Sequence, residues 1–336
     1  MADLLHIENL SVEYRTLFTT VRALNKVNLS LKEGESLGLV GETGAGKTTT
    51  ALAILRLLQH ILPPAKIRFQ GEDLLSLSEE KIQAIRGNTI SMIFQDPMTA
   101  INPRMKIIEQ VAEGIAYHKN MGRKAALNKA IEMLELVGIS AERAGDYPGQ
   151  FSGGMKQRVV IAIALACEPK LILADEPTTA LDVTIQAQIL DLIKDMQKKF
   201  HTSLLMITHD LGVVAEMCDR VAVLYAGEIV EEGTLDDIFN HTKHPYTKAL
   251  FDSIPPLSQR VRRLETIPGE SPDPGLRHSG CLFAPRCRFK QDICERIAPP
   301  PSRHHTQKFR CHFPLEGDFS NRRRTGENSN HEATLT

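Results

Sequence analysis

The sequence has almost no charge excess of either sign. Its 40 Lys and Arg side chains stand against 41 Asp and Glu in 336 residues, a formal net charge of −1. So even a balance gives no bulk field toward nucleic acid or an anionic membrane. Long apolar runs are lacking too. The longest, VVIAIALAC from Val159 to Cys167, falls far short of the ~20 residues a spanning helix needs. The first residues carry no apolar stretch of signal-peptide form, so the expectation is a chain that does not itself cross a bilayer. No similarity recurs at the periods of solenoid repeats. Cysteine is scarce, and six thiols without a secretion signal point to a reducing compartment, and to metal or chemistry over disulfides. What is present is a globular composition, 42% hydrophobic and 24% charged, sufficient for one large domain and a smaller addition.

Periodicity orders the chain. LLHIENLSVEY alternates apolar and polar residues as a strand does, and a second strand-like piece follows at Val27 to Leu31. SLGLV reads as a buried strand, with helical spacing in TALAILRLLQ after it. From about Gln95 to Pro169 the pattern is mostly helical, and Gly138 is placed to end the helix in AALNKAIEMLELVG. LILADE, QAQILDLIKDMQKKF, SLLMITHD and RVAVLYAG then restore the strand–helix alternation of a parallel sheet. Beyond Ile254 the texture changes, with ten of the 18 prolines in the remainder, which places a boundary near Pro255. The predicted organisation is a nucleotide-binding unit at 1–254 with a helical part at about 95–170, an extension at 255–317, and a disordered tail at 318–336.

GETGAGKTTT lies between the SLGLV strand and the following helix. Gly41, four residues, then Gly46, Lys47 and Thr48 match the phosphate-binding loop in the context that motif requires. Glycines let successive backbone N–H groups of Gly41, Glu42, Thr43, Gly44, Ala45, Gly46, Lys47, Thr48 and Thr49 curl round an anion. Lys47 would reach the β- and γ-phosphates, and the Thr48 hydroxyl would bind Mg²⁺. LILADEP delivers Asp175 to a strand end as a second magnesium ligand. Glu176, next to it, is placed to orient or deprotonate the attacking water. Alone, a glycine turn caps helices and an acidic pair ends strands; together they make a nucleotide site.

FSGGMKQR, at Phe151 to Arg158, is where the chain resembles the ATP-binding-cassette ATPases. Their signature is usually LSGGQ followed by a basic residue; Ser152, Gly153 and Gly154 match, while Phe151 and Met155 depart. The resemblance implies a P-loop α/β cassette with a parallel-sheet core, an antiparallel β subdomain and a helical subdomain. It also implies that the signature faces the γ-phosphate of ATP held by a partner subunit, so that hydrolysis needs a head-to-tail dimer. Gln95 in IFQDP looks like the family's Q-loop residue, which senses metal and γ-phosphate. Asp182 in ALD looks like its D-loop, and His209 in MITHD resembles its switch histidine. Tyr14 resembles the aromatic that stacks on adenine, with Phe18 as competitor. The matches span roughly Leu4 to Pro245.

HPYTKAL, PGESPDPG and GCLFAPRC resemble the C-terminal extension of ATPase subunits in the dipeptide and oligopeptide importer group, which also includes nickel and some sugar systems. Cys281, Cys287, Cys294 and Cys311 follow, with five, six and sixteen residues between them. Four thiolates can close a cage that stabilises a segment poor in core-forming residues. Some members of the resembling group carry a [4Fe–4S] cluster there; zinc or unmetallated thiols are the alternatives, although no gap has the short spacing of zinc knuckles. Cys167 and Cys218 read as small core residues.

The resemblance implies a peripheral ATPase at the cytoplasmic face of the inner membrane, using ATP and Mg²⁺. Its implied partners are a second, different ATPase, two permeases docking near NPRMKIIEQV, and indirectly a solute-binding protein, with no nucleic acid. The alternatives are import of nickel or another solute, a soluble cassette ATPase working on DNA or ribosomes, and a regulatory module without hydrolysis.

Overall fold

A computed structural model describes residues 3–15, 19–179, 181–253, 267–276 and 278–319. Strands β1 (Asp3–Arg15) and β2 (Thr20–Lys32) pair antiparallel. Their buried residues recur along one face, with Leu5, Ile7, Leu10 and Val12 on β1 and Leu24, Val27, Leu29 and Leu31 on β2. After β3 (Ser36–Val40) and α1 (Lys47–Ile54), the short strands β4 (Ile61–Leu62), β5 (Lys66–Phe69) and β6 (Glu72–Asp73) complete this sheet in the order β2-β1-β5-β6, with β4 on β1.

Helix α2 (Glu79–Ile85) leads to β7 (Ile90–Ile93). A helical block follows, made of α3 (Pro97–Ala100), α4 (Ile107–His118), α5 (Arg123–Leu136) and α6 (Gly153–Leu165). Gly138 ends α5 as its position predicts. It adopts φ +82, and the N–H groups of Gly138 and Ile139 turn back to the Glu135 and Leu134 carbonyls at 2.9 and 2.8 Å.

The core sheet gathers β8 (Leu171–Asp175), β9 (Ser203–Thr208), β10 (Arg220–Tyr225) and β11 (Glu228–Thr234) around β3, with α7 (Val183–Phe200) and α8 (Leu211–Met217) as crossovers. Helices α9 (Leu235–Asn240), α10 (Pro245–Asp252) and α11 (Asp292–Arg296) precede a hairpin of β12 (Ser302–His304) and β13 (Gln307–Phe309). The strand order is β12-β13-β11-β10-β3-β9-β8-β7. Strands β10 to β7 run parallel, while β11 and the hairpin form an antiparallel edge.

Both faces of the parallel strands are buried, so neighbouring residues serve different cores. Leu205 and Ile207 of β9 pack toward β1 and β2, whereas Leu204 and Met206 join α6, α7 and α8. The arrangement is the expected parallel-sheet core with antiparallel β and helical additions. The expected strand LILADE stops one residue early, because Glu176 leaves it at φ +45. The expected boundary near Pro255, and 320–336 of the expected tail, lie outside the described residues. Among the described residues no helix is long and apolar enough to cross a membrane.

Candidate functional site

Strands β3, β9, β8 and β7 are neighbours, so their carboxyl ends present four loops to one place. The loop after β3 is the glycine-rich one. At Gly41 a Cβ would sit 2.1 Å from the Leu224 carbonyl oxygen, and at Gly46, φ +104, it would meet the Ala23 carbonyl oxygen at 2.6 Å. Only glycine lets the chain pass there. Gly46 caps α1 with no side-chain hydrogen bond, so the helix directs its N-terminal dipole at the loop.

Lys47 opens α1 and is buried, with Nζ donating to the carbonyls of Gly41 (2.8 Å) and Glu42 (3.0 Å). Burial lowers its pKa, against the pull of Glu176, Asp175 and Glu42. Asp175 ends β8 and is 3% exposed, and its Oδ1 has no hydrogen-bond partner. Burial raises its pKa, opposed by a hydrogen bond from Thr48. A buried carboxylate oxygen left without a donor, beside a threonine hydroxyl, fits a hard divalent cation.

Glu176 lies where β8, β9 and β7 converge. Its Oε2 accepts from Gln95 Nε2 (3.0 Å) and from the Thr179 hydroxyl (2.8 Å), and its Oε1 meets His209 Nδ1 at 2.9 Å. Burial pushes the carboxyl up, but the bonds from His209 and Thr179 outweigh it and leave the pKa below its ordinary value. The structure thus brings Gln95, Glu176 and His209 into direct contact, one residue from Asp175. Thr179 is a contact that sequence reasoning missed; its signal is the threonine pair after LILADEP.

Tyr14 stands beside α1, its hydroxyl 3.4 Å from Thr49 Oγ1. The residue is 39% exposed. Phe18 lies outside the described residues. Ser152 and Gly153 are exposed at the start of α6, where Ser152 Oγ accepts from the Met155 N–H at 3.4 Å. No hydrogen bond joins Ser152, Gly153 or Gly154 to the phosphate loop among the described residues. Phe151 and Met155, which flank the SGG core, share one partner. The Arg143 guanidinium lies 4.5 Å from the Phe151 ring centroid and donates to Met155 Sδ at 3.3 Å. Asp182 caps α7, accepting from Ile185 N–H at 3.0 Å.

Cys281, Cys287, Cys294 and Cys311 line one small cavity with His244, Phe283 and Phe313. The Cys281 N–H donates to the Cys294 carbonyl at 2.7 Å. Burial pushes the Cys287 and Cys311 thiols up to about 11 and about 12. Among the described residues no group of His, Cys, Asp and Glu side chains is arranged to hold a single metal ion. Cys167 and Cys218 are buried in the main core, as expected of them.

Two family models match, one described as ABC transporter over residues 24–179, the other as the C-terminal region of oligopeptide/dipeptide transporters over residues 230–294. The chain is 50% identical to the oligopeptide transport ATP-binding protein OppD of Bacillus subtilis, over 88% of this chain and 85% of that one. It is 44% identical to the dipeptide transport ATP-binding protein DppD of Haemophilus influenzae, over 93% and 96%. Among solved structures, the dimeric post-hydrolysis cassette MJ0796 with ADP and Pi superposes with a TM-score of 0.63 at 30% identity, covering 69% of this chain and 98% of that one. CbiO1 of Clostridium perfringens gives 0.61 at 26% identity, covering 71% and 91%.

Proposed function

This chain belongs to the ABC transporter ATPases, in the group with the oligopeptide/dipeptide C-terminal region, and from that premise we propose that it drives peptide import. It is an ATPase. The observation that carries the mechanism is the Glu176 carboxylate, held between Gln95, Thr179 and His209 beside the phosphate loop. Backbone N–H groups from Gly41 to Thr49, apart from that of Glu42, which donates to the Tyr246 hydroxyl, join the Lys47 ammonium in gripping the triphosphate, and Tyr14 lies against the adenine. Thr48, Gln95 and Asp175 would hold Mg²⁺, which when bound draws charge from the β- and γ-phosphates. Glu176 takes the proton of the attacking water, while His209 and Gln95 orient its carboxylate and sense the γ-phosphate. Ser152, Gly153, Gly154 and Asp182 act on the nucleotide of a facing subunit, which suits the exposure of Ser152, Gly153 and Asp182.

The machine so formed is a pair of ATPases, two different chains in this reading, seated under two permeases at the cytoplasmic face of the membrane and supplied by a solute-binding protein. Residues 1–254 make the nucleotide-binding unit, 255–317 a Cys-rich extension, and 318–336 a tail. In the extension we read the four cysteines as ligands of a [4Fe–4S] cluster. Four thiols around one cavity can take the separate corners of an iron–sulfur cube. Iron and acid-labile sulfide in anaerobically purified protein check this; zinc at equal molarity, or no metal, rejects it. For the transport reading, the complex in lipid vesicles should hydrolyse ATP faster with peptide-loaded binding protein than without. Stimulation by nickel and not by peptides would favour the metal importer.

A further inference from the structure

Among the described residues the extension reaches the phosphate loop through Glu42, by an ion pair from Arg286 and a hydrogen bond from Ser271. A helical turn, Ala284–Arg286, carries the buried Arg286 between Cys281 and Cys287. Its guanidinium forks onto Glu42, Nη1 donating to Oε2 at 2.8 Å and Nη2 to Oε1 at 3.0 Å, across 244 residues of sequence. The fork is itself fixed. Nε donates to the Pro268 carbonyl at 2.9 Å and Nη1 to the Tyr225 hydroxyl at 3.3 Å, while the Ser271 hydroxyl donates to Glu42 Oε2 at 2.9 Å.

Glu42 is the second residue of the loop, and the other two of its polar groups are also committed. Its N–H donates to the Tyr246 hydroxyl oxygen at 3.0 Å, and its carbonyl accepts from Lys47 Nζ at 3.0 Å. A carboxylate inside an anion-binding loop repels the polyphosphate the loop has to hold. A bidentate arginine cancels that charge and fixes its direction, which a lysine cannot do with one ammonium.

We propose that Arg286 is a positioning residue for ATP binding: it neutralises Glu42 and turns it away from the phosphates, making nucleotide affinity depend on the C-terminal extension. The inference rests on the nucleotide-site reading above and adds a link between two regions that the sequence keeps far apart. A contact that merely staples the extension down would give the same picture, so the test separates charge from fastening.

The full-length chain is titrated with a non-hydrolysable ATP analogue and Mg²⁺ by calorimetry, and KM and kcat are measured in the assembled complex. Arg286→Met leaves the carboxylate uncompensated and should weaken binding about tenfold, raising KM with kcat little changed. Adding Glu42→Gln to it removes the repulsion, and affinity should return to within about threefold of the starting protein. A staple predicts the double variant to be no better than Arg286→Met. That result, or unaltered binding by Arg286→Met, overturns the proposal. Should Arg286→Met fail to fold, Glu42→Gln alone decides. Affinity that holds or rises supports the proposal, and a loss beyond about threefold overturns it. Failure of the unaltered chain to bind nucleotide would instead strike the nucleotide-site reading itself.

Discussion

His209 Nδ1 lies 2.9 Å from Glu176 Oε1, although 33 residues separate them in sequence. Glu176 meets it from a left-handed backbone, φ +45, that a side chain of its size rarely adopts. The neighbouring strands β8 and β9 end side by side, and the turn at Glu176 swings its carboxylate across to the histidine. In Glu176→Gln the amide keeps the shape of the site but cannot take a proton. Turnover in the assembled complex should fall by about 10²–10⁴-fold while nucleotide affinity holds. Normal hydrolysis by this variant would remove Glu176 from the role of base.

The phosphate loop makes a graded prediction from its glycines. A Cβ at Gly41 meets a backbone oxygen at 2.1 Å, so Gly41→Ala has to displace β10 and should abolish nucleotide binding. At Gly44 a Cβ meets nothing within 4 Å, and the cost is only that of φ +81. Gly44→Ala should therefore lose about 1–2 kcal/mol of stability and retain binding. Calorimetric titration of both variants gives the order, and equal loss in the two would contradict it.

This site was legible where its chemistry is contiguous. Gly41 to Thr49 and Asp175–Glu176 are local strings on apolar strands, and the motif and strand readings find them together. Gln95 and His209 needed the family pattern, because a single glutamine or histidine after a strand carries no signal of its own. Tyr246 and Arg286 were missed, since each reaches the site from an element whose place is set by packing, whereas Thr179, three residues after Glu176, was missed although the threonine pair that signals it is local. The hairpin of β12 and β13 was equally hidden. Strands of three residues are too short to show a period of two, and Glu231 pairs with Phe309 only once the extension has folded back on β11.

Asp175 predicts opposite effects on function and stability. Its Oδ1 is buried without a donor and its pKa is raised, so the folded chain bears the cost of a charge it keeps for a cation. Asp175→Asn removes that charge. Thermal unfolding without Mg²⁺ should show equal or greater stability, while Mg²⁺ affinity measured with bound nucleotide should drop by about tenfold or more. A variant that loses stability and keeps its Mg²⁺ affinity would mean that the carboxylate serves packing.

The joint between extension and core gives a pH prediction. Glu231 is fully buried and accepts from the backbone N–H groups of Lys243 (2.6 Å) and His244 (3.0 Å) and from Gln307 Nε2 (2.7 Å). Burial nevertheless raises its pKa from 4.5 to about 7. Between these values the folded chain binds more protons than the unfolded one, so this contribution to stability falls as pH rises. His244 is the reverse case. Burial lowers its pKa from 6.5 to about 3, so between those values the unfolded chain binds more protons and stability rises with pH. The two slopes overlap from about pH 4.5 to 6.5 and cancel there, because each amounts to one proton, about 1.4 kcal/mol per pH unit. Glu231→Gln takes away one of them. Its amide N–H₂ also faces donors, so the variant should be about 1–3 kcal/mol less stable near neutral pH. Denaturant titrations at half-unit steps should then show, relative to the unaltered chain, a stability that climbs from pH 4.5 to 6.5. A difference that stays constant across that window would mean that Glu231 is ionised throughout it in the fold.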